Sequence, residues 1–411
     1  MRFLFASAQL VGHLDWGGFL ATAAALARRG HEVHWASGQE VQALLSANGI
    51  TGHVMAETGW RWPLPPPLRP DEAASPQAFA RQRMIRSLDQ WFSVDRVAAA
   101  TRILHRIGQA VRPHLVVSEM FMAAAGLSAE MLNAPFAVAG WPAIQAVLPA
   151  SAQFVAEMAR ERLSVLTEMF GLDGVNWTQE GPSALLSPHL HLTYWSPRWF
   201  SGLPLLPQNR LVGGVAPPAQ PWKTPWLSQL PMDQPWVFIT LGTAFTNDPN
   251  FFSAAAHAAA QVGCLPILAI GQDVNSVWGQ TMRARLPKPS VVVGRVNFAE
   301  VLPYAAAAIH HGGAGTTHAL VTHAVPQIVV PHAADQARQA EGVARSGVGY
   351  RIAPKDVTIP VLVQALRNAL PGDSAIRGNA RALREEFASL GGIPVAADLL
   401  EGLAAQHAAG G

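Results

Sequence analysis

Short apolar runs alternate along this chain with Ala- and Leu-rich helical stretches, in two blocks separated by a segment crowded with Pro and Gly. No other feature limits the fold so sharply, because strands alternating with helices build parallel sheets covered by their own crossovers. In the first block "RFLFAS" reads as a strand, "GFLATAAALARRG" as a helix closed by Gly30, and "EVHWAS" as the next strand. "HLVVSEMFMAAAGLSAEMLNAPFAVAG" repeats strand, helix, strand, and a helical stretch is expected near 78–111. "WRWPLPPPLRPDEAASPQ" holds too much Pro for regular structure.

The Pro- and Gly-dense segment "PLLPQNRLVGGVAPPAQPWKTPWLSQLPMDQP" reads as a link between domains. Beyond it "WVFITLGT", "LPILAIG", "SVVVGRV", "AAAIHHGG" and "QIVVP" are the next strands. At 411 residues the chain also exceeds what one core usually serves. The expected organisation is α/β: a Rossmann-like domain over 1–205, a linker over 206–232, and a second over 233–411. The last helix is free to pack back on the first domain. Doubly wound sheets bind ligands beyond the carboxyl ends of their strands, where strand order reverses. Two of them are expected to face each other across a cleft.

Composition removes several classes. Hydrophobic residues make up 50% and charged residues only 14%, against about 25% in an ordinary soluble protein, which argues for large buried cores or apolar surface and against disorder. Lys and Arg number 29 and acidic residues 27, with no block of like charge, which leaves a nucleic-acid footprint without support. The single Cys264 rules out an internal disulfide framework and fits a reducing cytoplasm. "MRFLFASAQL" lacks a strongly basic start and reads as a buried first strand rather than a signal peptide. "SAAAHAAAQVGCLPILAIG" contains His, Gln and Pro, and reads as helix then strand rather than a membrane crossing. A cytoplasmic protein without integral membrane contact is expected.

The chemistry concentrates in "HHGGAGTTHALVTHAVPQIVVPHAADQ", which begins at His310. The Gly-rich turn joins a strand to a helix, so unpaired N–H groups and the helix dipole favour an anion there. His311 adds a ring donor or a positive charge, and Thr316 and Thr317 add hydroxyls. A bare Gly turn is the plainer reading; His and Thr on both flanks favour phosphate. Asp335 and Gln336 follow the next strand. Asp335 reads either as a helix N-cap or, with Gln336, as a ligand for hydroxyl groups.

Segment 310–350 resembles the donor-binding signature of family 1 glycosyltransferases, with "HHGGAGTT", "VPQIVVP", "DQ" and "GVG" in that family's order. "VVGRVNFAEVLP" is similar to the family's base-binding segment, with Asn297-Phe298 in place of a usual Pro-Gln, and "ITLGT" to its first C-terminal strand and loop. The resemblance covers nearly the whole chain and implies the two-domain GT-B fold. It implies further that His311, Gly313, Gly315 and Thr316 hold the diphosphate, that Val296 flanks the base, and that Gly242 and Thr243 line the cleft. Asp335 and Gln336 would bind sugar hydroxyls.

The family also places a Gly-His after its first strand, and Gly12-His13 stands here. His suits a general base because its pKa lies near operating pH. A loop position just ahead of a helix beginning near Gly17 would keep it neutral. Glu119, in "HLVVSEMF", is favoured as its orienting carboxylate, with Asp15 as the rival. All 13 Trp except Trp236 and Trp278 precede the second block. Trp60, Trp62 and Trp141, in Pro-rich contexts, are candidate walls for a hydrophobic or aromatic acceptor, with core packing the plainer role of any single Trp.

The resemblance thus implies an inverting transferase that moves a hexose from a UDP- or dTDP-sugar to a hydroxyl of a small natural product. No cofactor beyond that co-substrate is expected. No Asp-x-Asp pair occurs, so no bound metal is needed. Two other readings remain open: a nucleotide-sugar epimerase of the same fold, and an auxiliary subunit without chemistry.

Overall fold

The computed structural model describes the chain except residues 15–16, 64, 67, 70–73, 141–152, 178–184, 215–223, 232, 243–247, 333–334 and 410–411. Contacts divide it into two units. Unit 1 comprises Met1–Tyr194, Leu203–Val212 and Gly391–Gly411; unit 2 comprises Trp195–Gly202 and Gly213–Leu390.

The sheet of unit 1 contains β1 (Arg2–Ala6), β2 (Glu32–Ser37), β3 (Thr51–Val54), β4 (Leu115–Ser118), β5 (Phe136–Gly140), β6 (Leu190–Thr193) and β7 (Asn209–Leu211). All pair in parallel, in the order β3-β2-β1-β4-β5-β6-β7. Side chains alternate across the pleat, so each strand serves two layers. Phe5 pairs in register with Trp35, their rings stack at 5.2 Å, and Phe19 of the helix Phe19–Arg28 closes on both. Leu4, Ala6 and Val116 point the other way, to Leu104 of the helix Val94–Val111 and Leu127 of the helix Ala123–Met131. The helical stretch expected near 78–111 is made of two helices, Pro76–Asp89 and Val94–Val111. Trp91 and Phe92 occupy the break, stacked on each other at 5.0 Å, with Phe92 fully buried.

The chain does not divide at 205–206 as expected. "NRL", inside the expected linker, pairs with β6 and adds the seventh strand. Trp195–Gly202, expected in the first domain, belongs to unit 2, where Trp199 stacks on Trp195 at 4.2 Å and lies against Gly342. The last helix, Gly392–Ala409, belongs to unit 1 and contacts the helix Phe19–Arg28. Arg29 donates to Asp398 Oδ1 at 2.7 Å and Glu401 Oε2 at 2.9 Å, and His31 Nε2 meets Glu401 Oε1 at 2.8 Å.

The sheet of unit 2 contains β8 (Trp236–Thr240), β9 (Leu265–Ala269), β10 (Val291–Val293), β11 (Ala305–His310), β12 (Gln327–Val329) and β13 (Gly349–Arg351). It too is parallel, in the order β10-β9-β8-β11-β12-β13. Val237 and Ile239 pack with Phe252 of the helix Pro249–Gln261, while Trp236 and Phe238 face Leu320 of the helix Ala314–Thr322. Among the described residues one segment, Ala375–His407, is long and apolar enough to cross a membrane. It is broken at Gly391, where φ is +88°, into the helix Ala375–Ser389 of unit 2 and the last helix of unit 1.

In each sheet the strand order reverses once, between β1 and β4 and between β8 and β11. Those reversals are where this architecture holds ligands.

Candidate active site

In unit 1 the two strands at the reversal carry His13 and Glu119 just past their carboxyl ends. His13 does not occupy a loop directly ahead of a helix, as expected; it sits in a one-turn helix, Val11–Leu14, and the following helix starts only at Phe19. The contact that orients the ring is instead a carboxylate. His13 Nδ1 lies 3.0 Å from Glu119 Oε1. Glu119 is fully buried and also accepts from Ala8 N at 3.1 Å and Phe121 N at 3.2 Å, which fixes both oxygens. With Nδ1–H donating to Glu119, the lone pair of a neutral ring resides on Nε2. The extra methylene of Glu over Asp is thus accommodated. The rival, Asp15, lies outside the described residues.

An aromatic cluster surrounds this pair. Trp60 meets the His13 ring edge-on at 4.8 Å, Phe121 lies 5.7 Å from it, and Trp91 meets Phe121 at 5.5 Å. Trp60 is thus beside the candidate base, whereas Trp62 is 45% exposed. Trp141 lies outside the described residues. Phe121 and Trp91 were missed from sequence; the only sign of Phe121 was its place two residues after Glu119.

In unit 2 the strands at the reversal carry Gly242 and His311. A Cβ at Gly242, where φ is +73°, would lie 2.7 Å from His311 Nε2, and one at Gly313 would also fall on that nitrogen. Both glycines make room for the ring. Burial, with a contribution from nearby His332, pushes the His311 pKa down to about 4. Burial thus favours a neutral ring over the positive charge, and the ring also hydrogen-bonds the backbone of Thr240.

The helix Ala314–Thr322 starts without a side-chain cap, so the N–H groups of Ala314, Gly315 and Thr316 need partners from outside the helix. Thr316 is buried in that first turn. Thr317 spends its hydroxyl on Gly313 O at 2.9 Å, which removes it as a ligand donor. Gly315 is exposed, and a Cβ there would meet nothing within 4 Å. Its missing side chain serves no packing need. Thr243 lies outside the described residues, and Val296 is half-buried against the Phe238 and Leu320 cluster.

Asp335 begins the helix Gln336–Arg345 but makes no cap hydrogen bond through its side chain, which removes the capping role. Gln336 is buried, and its Oε1 accepts from His332 N at 2.7 Å. His332 Nδ1 in turn lies 2.8 Å from Val330 O, and Nε2 lies 3.4 Å from Asp248 Oδ2. Asp248 Oδ1 caps the helix Pro249–Gln261, accepting from Asn250 N and Phe251 N. Neither His332 nor Asp248 stood out in the sequence. Among the described residues no group of three or more His, Cys, Asp or Glu is placed to hold a metal ion.

His310 and His311 make stability depend on pH. Burial lowers His310 to about 3 and His311 to about 4, below their unfolded value near 6.5. The unfolded chain then binds more protons, so stability is full above pH 6.5 and falls as pH drops towards 4. Each group contributes up to about 1.4 kcal/mol per pH unit in that window. Urea midpoints between pH 7.5 and 5 should fall for the wild type and fall less steeply for His310→Asn; equal slopes would remove His310 as a source.

The fold that these features define is that of the two-domain, GT-B glycosyltransferases. A solved structure titled as the glycotransferase of kitacinnamycin superposes with a TM-score of 0.76 at 22% identity, covering 98% of each chain. Glycosyltransferase VinC, in complex with dTDP, superposes with a TM-score of 0.68 at 22% identity, covering 99% of this chain and 100% of its own. Residues 274–401 match the family described as erythromycin biosynthesis protein CIII-like, C-terminal domain. Among curated relatives, the L-demethylnoviosyl transferase of Streptomyces niveus is 34% identical over 188 residues, covering 44% of this chain and 46% of its own. The demethyllactenocin mycarosyltransferase of Streptomyces fradiae is 30% identical over 213 residues, covering 51% and 44%. The chain spans less than half the length of these curated relatives, both of which are named as transferases.

Proposed function

We propose that this chain is an inverting, metal-independent glycosyltransferase of the cytoplasm that moves a hexose from a UDP- or dTDP-sugar to a hydroxyl of a hydrophobic or aromatic natural product. The observation that carries the reading is the His13–Glu119 pair at the strand reversal, with an aromatic cluster beside it. His13 Nε2 removes the acceptor hydroxyl proton, and the buried Glu119 carboxylate stabilises the imidazolium. The freed oxygen attacks the anomeric carbon opposite the diphosphate, through an oxocarbenium-like transition state. The sugar–diphosphate bond breaks, and its electron pair leaves on the diphosphate oxygen. That charge is met by the uncapped N–H groups of the helix Ala314–Thr322 and by the His311 ring.

The test is nucleoside diphosphate release from UDP- and dTDP-hexoses in excess EDTA, with and without a panel of aromatic, macrolide and terpenoid alcohols. Release only with an acceptor, and a product of inverted anomeric configuration, is the expected result. Release without acceptor, or a sugar epimerised in place, would overturn it. Asp335 supplies a second measurement. Asp335→Asn should lower donor-sugar use at least tenfold through lost charge-assisted hydrogen bonds while leaving free diphosphate affinity unchanged. Equal, small effects on kinetics and calorimetry would take Asp335 out of sugar binding.

A further inference from the structure

Two buried residues that the donor reading leaves unused hold the turn on which it depends. His310 ends β11 and Gln327 begins the neighbouring β12; both are fully buried. Gly312 N–H donates to His310 Nδ1 at 3.1 Å, so that nitrogen carries the lone pair and the ring proton is on Nε2. Nε2–H then donates to Gln327 Oε1 at 3.0 Å, and the Gln327 amide continues to Thr317 O at 3.4 Å. Gly312 is where the chain turns: φ is +88°, and a Cβ there would lie 2.7 Å from Val329 Cγ1 and 3.0 Å from Gln336 O. An imidazole and an amide are costly to bury unless bonded, and apolar residues would fill this space more simply.

We propose that His310 and Gln327 are positioning residues, holding the turn at Gly312 and Gly313 so that His311 and the helix start keep the geometry that a nucleoside diphosphate requires. The inference rests on the donor-site reading of unit 2. One ring in one tautomer ties the turn to β12. Burial keeps that ring neutral, and protonating Nδ1 would break its bond to Gly312.

His310→Asn and His310→Gln divide the two bonds. The Asn side-chain oxygen falls near Nδ1 and still accepts from Gly312, but does not reach Gln327. The Gln amide reaches Gln327 and leaves the Gly312 N–H unpaired. Two readouts serve: amide hydrogen exchange at Gly312 in the free protein, and calorimetric Kd for UDP and dTDP. His310→Asn should keep exchange and Kd within about threefold of wild type. His310→Gln should speed Gly312 exchange and weaken the diphosphate that the wild type binds, each at least tenfold, as expected for a buried donor left unpaired. Equal behaviour of the two variants in exchange would overturn the proposal. If the wild type binds neither diphosphate, the donor reading falls, while the exchange comparison still decides the positioning role. Should either variant fail to fold, Gln327→Met removes the acceptor at similar length. Without that acceptor the His310 ring is free to carry its proton on Nδ1, which breaks the bond from Gly312 N–H, so Gly312 exchange should also speed up, and wild-type exchange there would overturn the proposal.

Discussion

Replacing His13 by Ala is expected to lower turnover by roughly 10²–10⁴ while leaving the affinity for nucleoside diphosphate nearly unchanged. The size follows from what general-base catalysis supplies when the acceptor is an unactivated alcohol. The selectivity follows from placement, since His13 belongs to unit 1 and the helix start proposed to hold the diphosphate belongs to unit 2. Glu119→Gln probes the same pair from below. Three donors converge on the carboxylate, from Ala8, Phe121 and His13, and a neutral amide offers a single oxygen to them. Turnover of that variant should fall at least tenfold, because the imidazole loses the acceptor that fixes its tautomer. Steady-state kinetics beside calorimetry reads both effects. Wild-type turnover in His13→Ala would remove the residue from the mechanism.

Gly315→Ala should change stability and binding in opposite senses. The position lies in the first turn of a helix, its backbone is not left-handed, and nothing in the protein occupies the space of the added methyl. Ala in place of a helical Gly should therefore stabilise the fold by about 0.5–1 kcal/mol. A diphosphate resting on the uncapped helix start needs that same space, so its affinity should fall at least tenfold. Chemical denaturation and calorimetry on one preparation decide the matter. Greater stability with unchanged diphosphate affinity would show that the ligand does not approach Gly315.

Much of this architecture was legible because its signals are local. The strands of both sheets carry compact apolar runs, and Gly30 and the "HHGG" turn mark boundaries within a few residues of the elements that they end. The Gly-rich turn could be read as an anion site because a helix start needs no distant partner to attract one. What escaped depends on long-range placement. "NRL" is too short and too polar to announce an edge strand, and it becomes one only beside β6. Nothing local in "WSPRWFSG" says that its two Trp belong with Gly342 and Phe387 of unit 2. The charge of His311 depends on burial that the doublet His310-His311 does not display, and the same holds for the pairing of His310 with Gln327. Phe121 and Trp91 gained their place beside His13 only through the packing of β4 and its neighbours.

The discontinuous make-up of the units sets the order in which their residues become available during synthesis. Unit 2 has all of its residues once Leu390 has emerged, whereas unit 1 waits for the helix Gly392–Ala409 and the acidic residues that meet Arg29 and His31. A nascent chain halted shortly after Leu390 would carry a finished C-terminal sheet and an N-terminal sheet with its outer helix uncovered. Domains made on the ribosome commonly fold in order from the N-terminus. Here the half that is made first is the half that is completed last.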